Sequence, residues 1–277
     1  MGTGQPPPVL PRDEEAPILA HSSVAPGHFL MRLRASYAAR HARPGQFVQI
    51  RVRPSLDPFL RRPFSISRTA PEAGWMEALY KVVGQGTAAL AGRTVGETVS
   101  VLGPLGRPFR LPDRGAVLLV GGGVGMPPLF FAANHLPAGR TQVFQGARTA
   151  RLLLYEREFD ELGIACHWTT EDGTAGLRGL VTDALGAVLD SLGEPAEILS
   201  CGPLPMMAAV AGMAAGRRIV CQVSLEERMA CGFGIGMGCA VRLATSRSAS
   251  PDYALVCTDG PVFDAQDVFA FKPSPDV

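Results

Sequence analysis

Three thiols stand at a spacing that metal chemistry uses. Cys231 and Cys239 bracket the alternating run Gly-Phe-Gly-Ile-Gly-Met-Gly, and Cys257 follows eighteen positions later. Plant-type [2Fe–2S] sites take C-x4-C-x2-C and a distant fourth cysteine. On that template Cys231 is first, Cys239 third and Cys257 fourth, while the second position is Gly236. The glycines suit such a site, because backbone N–H groups in open loops donate to cluster sulfur. A redox-silent loop that had kept its shape without a cluster would read the same way. Cys166, Cys201 and Cys221 show no comparable spacing. Six cysteines in so long a chain, with no apolar leader in the opening MGTGQPPPVLPRDEEAP, predict metal or redox chemistry in the reducing cytoplasm rather than disulfide staples.

A second candidate is Gly121-Gly122-Gly123-Val124-Gly125-Met126-Pro127-Pro128. It follows the apolar run AVLLV (116–120) and precedes LFFAANHL, so strand, glycine turn and helix come in order. Phosphate meets free N–H groups and the positive end of a helix at such a turn. The spacing departs from GxGxxG after Gly123, and no acidic residue stands where one would hold a ribose. A tight strand-to-helix turn with no ligand is the alternative. Cys201-Gly202-Pro203 closes another predicted strand and so falls on the same carboxyl edge, where open α/β sheets bind ligands.

The third candidate is Arg61-Arg62-Pro63-Phe64-Ser65-Ile66. Arginine grips pyrophosphate through two parallel N–H groups, and a proline fixes the backbone between it and an aromatic face. Ser65 can exchange a hydrogen bond with a ring nitrogen. Tyr80-Lys81 and Gly84-Gln85-Gly86-Thr87 add a ring, a cation and a loop whose N–H groups can approach phosphate. Either motif alone would be an ordinary basic strand or hairpin. Together they point to a flavin nucleotide.

These residues need elements to hold them. From residue 17 to about 111 the text is short and alternating, broken by Arg43-Pro44-Gly45, Gly84 and Pro104-Leu105-Gly106, which predicts a small antiparallel barrel. From Asp113 strands alternate with helices: TQVFQGAR, then helical RLLLYEREFDELG, then ACHWTTEDG, helical LVTDALGAVLDSLG, EILSCGP, and helical PMMAAVAGMAA. That order means parallel βαβ units in a doubly wound sheet. The expected organisation is a loose tail at 1–16, a barrel at 17–112, an α/β domain at 113–218 and a cysteine module at 219–277.

Composition agrees. Residues 1–112 carry 14 basic and 7 acidic side chains, a net of +7 inside a chain whose total is only +1, so an anionic ligand is expected there. The near-neutral total gives no reason to expect nucleic acid. The uncharged stretch from Gly115 to Gly139 is broken by glycines and prolines and predicts no membrane span. Five histidines form no zinc pair, no G-x-S-x-G elbow occurs, Glu226-Glu227 is a weak acid/base pair, and Met206, Met207 and Met213 are expected in the core.

RRPFSI, YKVVGQGT, GPLG, GGGVGMPPL, CGP, SLEERMACG and CTDGPVF occur in that order between residues 17 and 271, the last two being the most specific. In this the chain resembles the electron-transfer subunits of two-subunit, NAD-linked dihydroorotate dehydrogenases, within the ferredoxin-reductase-like flavoproteins. The resemblance implies a β barrel plus α/β architecture: an antiparallel FAD-binding barrel, a doubly wound nucleotide domain and a [2Fe–2S]-type module. It implies that Arg62, Pro63, Phe64, Ser65, Leu79, Tyr80, Lys81, Gly86 and Thr87 bind FAD. Gly121, Gly122, Gly123, Gly125, Cys201, Gly202 and Pro203 would then serve NAD, and Cys231, Cys239 and Cys257 iron, with Gly236 departing from the ligand pattern. No residue here would abstract a proton from substrate. An FMN-containing catalytic subunit, two of each in a heterotetramer, would oxidise dihydroorotate, with electrons passing through the iron–sulfur centre and FAD to NAD in pyrimidine biosynthesis. The alternatives are the NAD(P)H-binding subunit of a ferredoxin-dependent transhydrogenase or sulfhydrogenase, and a scaffolding flavoprotein without a cluster.

Overall fold

A computed structural model describes residues 10–53, 55, 57–193, 195–245 and 252–270. Six strands close a barrel: β1 (Arg12–Ala25), β2 (His28–Leu33), β3 (Phe47–Arg51), β4 (Arg62–Ala70), β5 (Trp75–Lys81) and β6 (Thr98–Leu105), in the order β1-β2-β5-β4-β3-β6 with every pair antiparallel. Alternation does the sorting. Met31, Leu33, Val48, Ile50 and Ile66 point inwards and are fully buried. Two short helices that the alternating text conceals, α1 (Ser36–His41) and α2 (Gln85–Ala91), sit in the barrel's connections.

The strand β1 starts at Arg12, inside the stretch expected as a loose tail; residues 1–9 lie outside the described residues. Pairing explains the difference. Arg12 to Pro17 run in register against Gly103 to Thr98, and Asp13 is held by both Arg61 and Ser100. Ladder hydrogen bonds and an ion pair order a segment whose composition alone reads as polar coil.

Beyond the barrel lie β7 (Ala116–Gly122), α3 (Met126–Ala133), β8 (Thr141–Ala147), α4 (Glu156–Glu161), β9 (Ala165–Thr170), β10 (Leu177–Arg178), α5 (Val181–Ser191), β11 (Ala196–Cys201), α6 (Leu204–Gly216) and β12 (Val220–Ser224). The helix expected across 151–163 is only α4, preceded by a 3-10 turn, because Tyr155 adopts a left-handed conformation at φ 62°. A hairpin of β13 (Ala240–Arg242) and β14 (Tyr253–Leu255), then β15 (Val262–Asp264) and α7 (Ala265–Val268), complete the elements among the described residues.

The large sheet runs β10-β9-β8-β7-β11-β12-β15, all parallel except for β15. Every residue of the central strand β7 is buried, as covering on both faces requires. Two of the seven strands therefore come from beyond residue 218. The cysteine module is not a separate appendage, since it opens with β12 and also supplies β15, both strands of the large sheet. Barrel and sheet are also joined: Phe131 of α3 lies in the barrel core, while Phe47 and Leu105 of the barrel lie in the core around α5 and α6.

Candidate functional site

From β7 the chain steps outward through β8 and β9 on one side, then returns to place β11 on the other. A crevice opens where the strand order reverses. Register brings Cys201 opposite Gly121, and Gly122 opposite Gly146, so the two expected nucleotide motifs meet at one edge. Gly123 has φ +55° with open space where a side chain would be, and Gly125 packs so tightly that any Cβ would overlap the Cys201 carbonyl. The turn runs through a 3-10 segment, Gly123–Gly125, into α3, whose Pro127 at the helix start gives up only an N–H that had no partner.

Two cavities of about 610 and 520 Å³ flank this turn and share His28, Lys81, Gly122, Gly123 and Pro203. One extends past Leu225, Glu226 and Arg242 of the cysteine module, and the other past Arg148, Glu171 and Leu180. Burial, with the Glu226 charge beside it, pushes the Cys201 thiol well up, so it stays protonated. Burial likewise raises the Glu226 carboxyl. Sequence reasoning missed His28, which lines both cavities; its Nδ1 lies 2.8 Å from the Pro26 carbonyl, which can only accept, so that nitrogen carries the proton. A lone histidine in an alternating strand gives no signal of its own.

On the barrel, adjacent arginines divide the work. Arg61 is fully engaged: Nη2 donates to Asp13 at 2.6 Å and Ser100 at 2.8 Å, and Nη1 to the carbonyls of Gln49 and Ser100. Arg62 donates only to the carbonyls of Leu60 and Arg61 and has no carboxylate partner among the described residues. Its guanidinium lies against Gly86, where a Cβ would come within 2.5 Å of Nε. The two expected flavin motifs are thus in contact.

Three of the expected side chains turn out to be structural. Phe64 pairs across from Val48, faces the barrel interior and packs against Tyr80, ring centroids 5.4 Å apart. The Tyr80 hydroxyl is 2.8 Å from Nε2 of His21, and burial raises its pKa. The Thr87 hydroxyl accepts from the N–H groups of Val83 and Gly84, closing the turn into α2. Ser65 and Pro63 pair with Phe47 and Gln49 on the opposite face of β4, towards the α/β domain; Leu79 belongs to the core cluster that includes α3, and Lys81 is exposed at the cleft.

The cysteine loop forms two half-sites. Cys239 and Cys257 are buried with their sulfurs 3.4 Å apart, close to the ~3.7 Å expected of two thiolates on one tetrahedral metal. Cys231 accepts from the Gly236 N–H at 3.3 Å and is near enough to Cys257 to act on it electrostatically. Burial acts to raise its pKa, but N–H groups of Gly236, Phe233, Ile235 and Gly234 outweigh that and bring it down to about 7. In the metal-free chain Cys231 should therefore react with iodoacetamide half-maximally near pH 7, faster as pH rises through it. Cys257, which burial and Cys239 push up, should stay slow. Equal rates at both thiols across that range would refute the cradle. The donor set does not complete a four-thiolate cluster, since the second position is Gly236 and no three or more metal-binding side chains converge among the described residues.

A closed six-stranded antiparallel barrel joined to a mainly parallel α/β sheet is the architecture of the ferredoxin-reductase-like class. Comparison with known proteins is specific within it. Residues 226–269 match the iron–sulfur cluster binding domain of dihydroorotate dehydrogenase B, and residues 119–212 match the oxidoreductase NAD-binding domain. The chain is 40% identical over 257 residues to the dihydroorotate dehydrogenase B (NAD+) electron transfer subunit of Bacillus cereus strain B4264, covering 91% of this chain and 96% of that one. It is 43% identical to the Bacillus mycoides subunit, covering 81% and 86%. Among solved structures, an NADH-dependent reduced ferredoxin–NADP oxidoreductase superposes with a TM-score of 0.81 at 32% identity, covering 91% and 89%. The chain belongs to the family of dihydroorotate dehydrogenase B electron-transfer subunits.

Proposed function

We propose that this chain carries electrons between a dihydroorotate-oxidising catalytic subunit and NAD, holding FAD on the barrel and NAD on the carboxyl edge of the sheet. One observation carries this reading: His28 and Lys81 of the barrel line the same cleft as Gly122, Gly123 and Pro203 of the sheet, so ligands on the two domains face each other. A bound flavin supplies hydride exchange with nicotinamide and one-electron exchange with a metal centre.

The chain's own residues bind and orient. Arg62 meets the flavin pyrophosphate with an unpaired guanidinium, and Lys81 adds a second cation at the cleft. Ser65 offers the flavin ring a hydrogen bond, while Pro63, Phe64, Leu79, Tyr80, Gly86 and Thr87 shape the surface beneath it, by backbone where their side chains are buried. Gly121, Gly122, Gly123 and Gly125 let a phosphate approach the start of α3, and Cys201, Gly202 and Pro203 close the crevice behind it. A protonated Cys201 puts no negative charge beside the nicotinamide. No side chain is needed as a base, because the substrate's protons leave on the partner. Cys231, Cys239 and Cys257 are the ligands this chain offers to iron.

The partner contains FMN and assembles as two of each subunit in the cytoplasm, where the six free cysteines remain reduced. No helix among the described residues is long and apolar enough to cross a membrane. The relatives and the match over 226–269 favour this reading over a ferredoxin-dependent transhydrogenase. The test is to add NADH anaerobically to the FAD-loaded chain. The flavin absorbance should bleach and then recover on adding NAD and an electron acceptor. A flavin that stays oxidised under excess NADH would overturn the proposal.

A further inference from the structure

We propose that His28 is a direct contact for NAD: its Nε2 accepts a hydrogen bond from a hydroxyl of the ribose next to the nicotinamide, holding the reactive half of the dinucleotide against the barrel. This rests on the reading of the cleft as the NAD site. His28 opens β2 directly opposite Lys81, the last residue of β5. It is 4% exposed, yet it lines both lobes of the cleft together with Gly122, Gly123 and Pro203 of the sheet. Its Nδ1 donates to the Pro26 carbonyl at 2.8 Å, which leaves Nε2 of the neutral ring as an acceptor. No group among the described residues donates to that nitrogen. A buried acceptor costs free energy until a ligand or a water supplies the donor.

The ring is held in place from both sides. Gly27, at φ +70°, turns the hairpin that precedes it, and the Gly27 carbonyl accepts from the Val82 N–H at 2.8 Å, tying that turn to the end of β5. Ala25 and Leu30, which flank His28 in the chain, belong to the core around Met126 and Leu129 of α3. This shared core fixes a histidine of the barrel relative to the glycine turn that opens α3. A contact carried by packed strands keeps its geometry better than one on a free loop.

The chemistry of this waist selects the group that His28 meets. A ligand filling both lobes passes its middle between the glycine turn and His28, because the lobes share those residues. The middle of a dinucleotide is a pyrophosphate flanked by two riboses. Backbone N–H groups at the turn and the Lys81 ammonium are donors, and they suit phosphate oxygens. An imidazole acceptor needs a group that carries a hydrogen, and beside the phosphates that group is a ribose hydroxyl. Since the flavin is read on the barrel, the half of the dinucleotide facing a barrel residue is the nicotinamide half. ADP-ribose contains this second ribose without the carboxamide, and AMP lacks it altogether.

The experiment measures calorimetric binding of ADP-ribose and AMP to the FAD-loaded full-length chain in the parent, His28→Asn and His28→Gln. Asparagine can keep the bond to Pro26 but stops short of the cleft, whereas glutamine reaches the cleft with an acceptor oxygen and gives up Pro26. His28→Asn should bind ADP-ribose about 3- to 10-fold more weakly, the loss of one neutral hydrogen bond, and His28→Gln should recover most of it. AMP and FAD affinities should stay at the parent values. Flavin content and melting temperature report folding. The parent alone gives a second test, with ADP-ribose lacking the 2- or the 3-hydroxyl of its terminal ribose. One of these two should bind about 3- to 10-fold more weakly, and His28→Asn should not tell that one from ADP-ribose. Unchanged ADP-ribose binding in His28→Asn, or in the parent with both deoxy compounds, overturns the proposal. Failure of His28→Gln where His28→Asn succeeds makes the ring a hairpin cap and overturns it too, as does a loss shared by AMP or confined to FAD. If the parent binds no ADP-ribose, the reading of the cleft as the NAD site falls as well.

Discussion

Arg62→Ala should emerge from purification folded but depleted of flavin. Its guanidinium has no carboxylate partner among the described residues, so removing it leaves no buried charge behind. A charge-assisted contact of this kind is worth roughly 1.5–3 kcal/mol, or about 10- to 150-fold in FAD affinity. Arg61→Ala is the control, and it should behave oppositely. That side chain ties Asp13 of β1 to Ser100 of β6, so its loss should lower the melting temperature while the folded fraction keeps its flavin. FAD titration and thermal unfolding of both variants decide the matter. Equal flavin affinity in parent and Arg62→Ala would remove Arg62 from the site.

Gly123→Val should separate the two ligands. The left-handed φ of +55° costs a β-branched residue about 1–3 kcal/mol, which a domain of this size tolerates locally. No atom lies within 4 Å of the new Cβ, so the side chain projects into the cleft rather than into the core. It would stand where a phosphate approaches the backbone. Flavin content should remain normal, dithionite should still reduce the flavin, and reduction by NADH should slow at least tenfold. NADH reduction at the parent rate would mean that the glycine run is only a turn.

Both predictions draw on motifs that could be read from the sequence, and the structure changes what each residue does. Barrel and sheet were legible because period-2 and strand–helix patterns report burial directly. The meeting of Cys201-Gly202-Pro203 with the glycine turn followed from both ending parallel strands. Which of two adjacent arginines is free did not, because it depends on Asp13, 48 positions away. The direction of Phe64 and Tyr80 was hidden for a related reason: an aromatic beside a cation reads as an outward face, yet alternation turns both rings into the barrel. The limits of the cysteine module were also hidden. Val220–Ser224 looks like an approach to the loop, and only pairing with Ala196–Cys201 reveals it as part of the sheet.

That pairing bears on how such a chain can be divided or recombined. The hairpin and cysteine loop are spliced between β12 and β15, which lie side by side with Val223 opposite Phe263. Cutting the chain before β12 would strip two strands from the sheet and leave β11 as a raw, apolar edge prone to pairing with other molecules. The segment between Ser224 and Val262, by contrast, leaves and re-enters at neighbouring positions, as an insertion does. The insertion is nevertheless packed into the scaffold, because Leu225, Ala254 and the fully buried Val256 share the core around α5 and α6, so shortening it would open that core. Only its tip, where Ile235 and Met237 are exposed on either side of Gly236, can vary without cost to the fold.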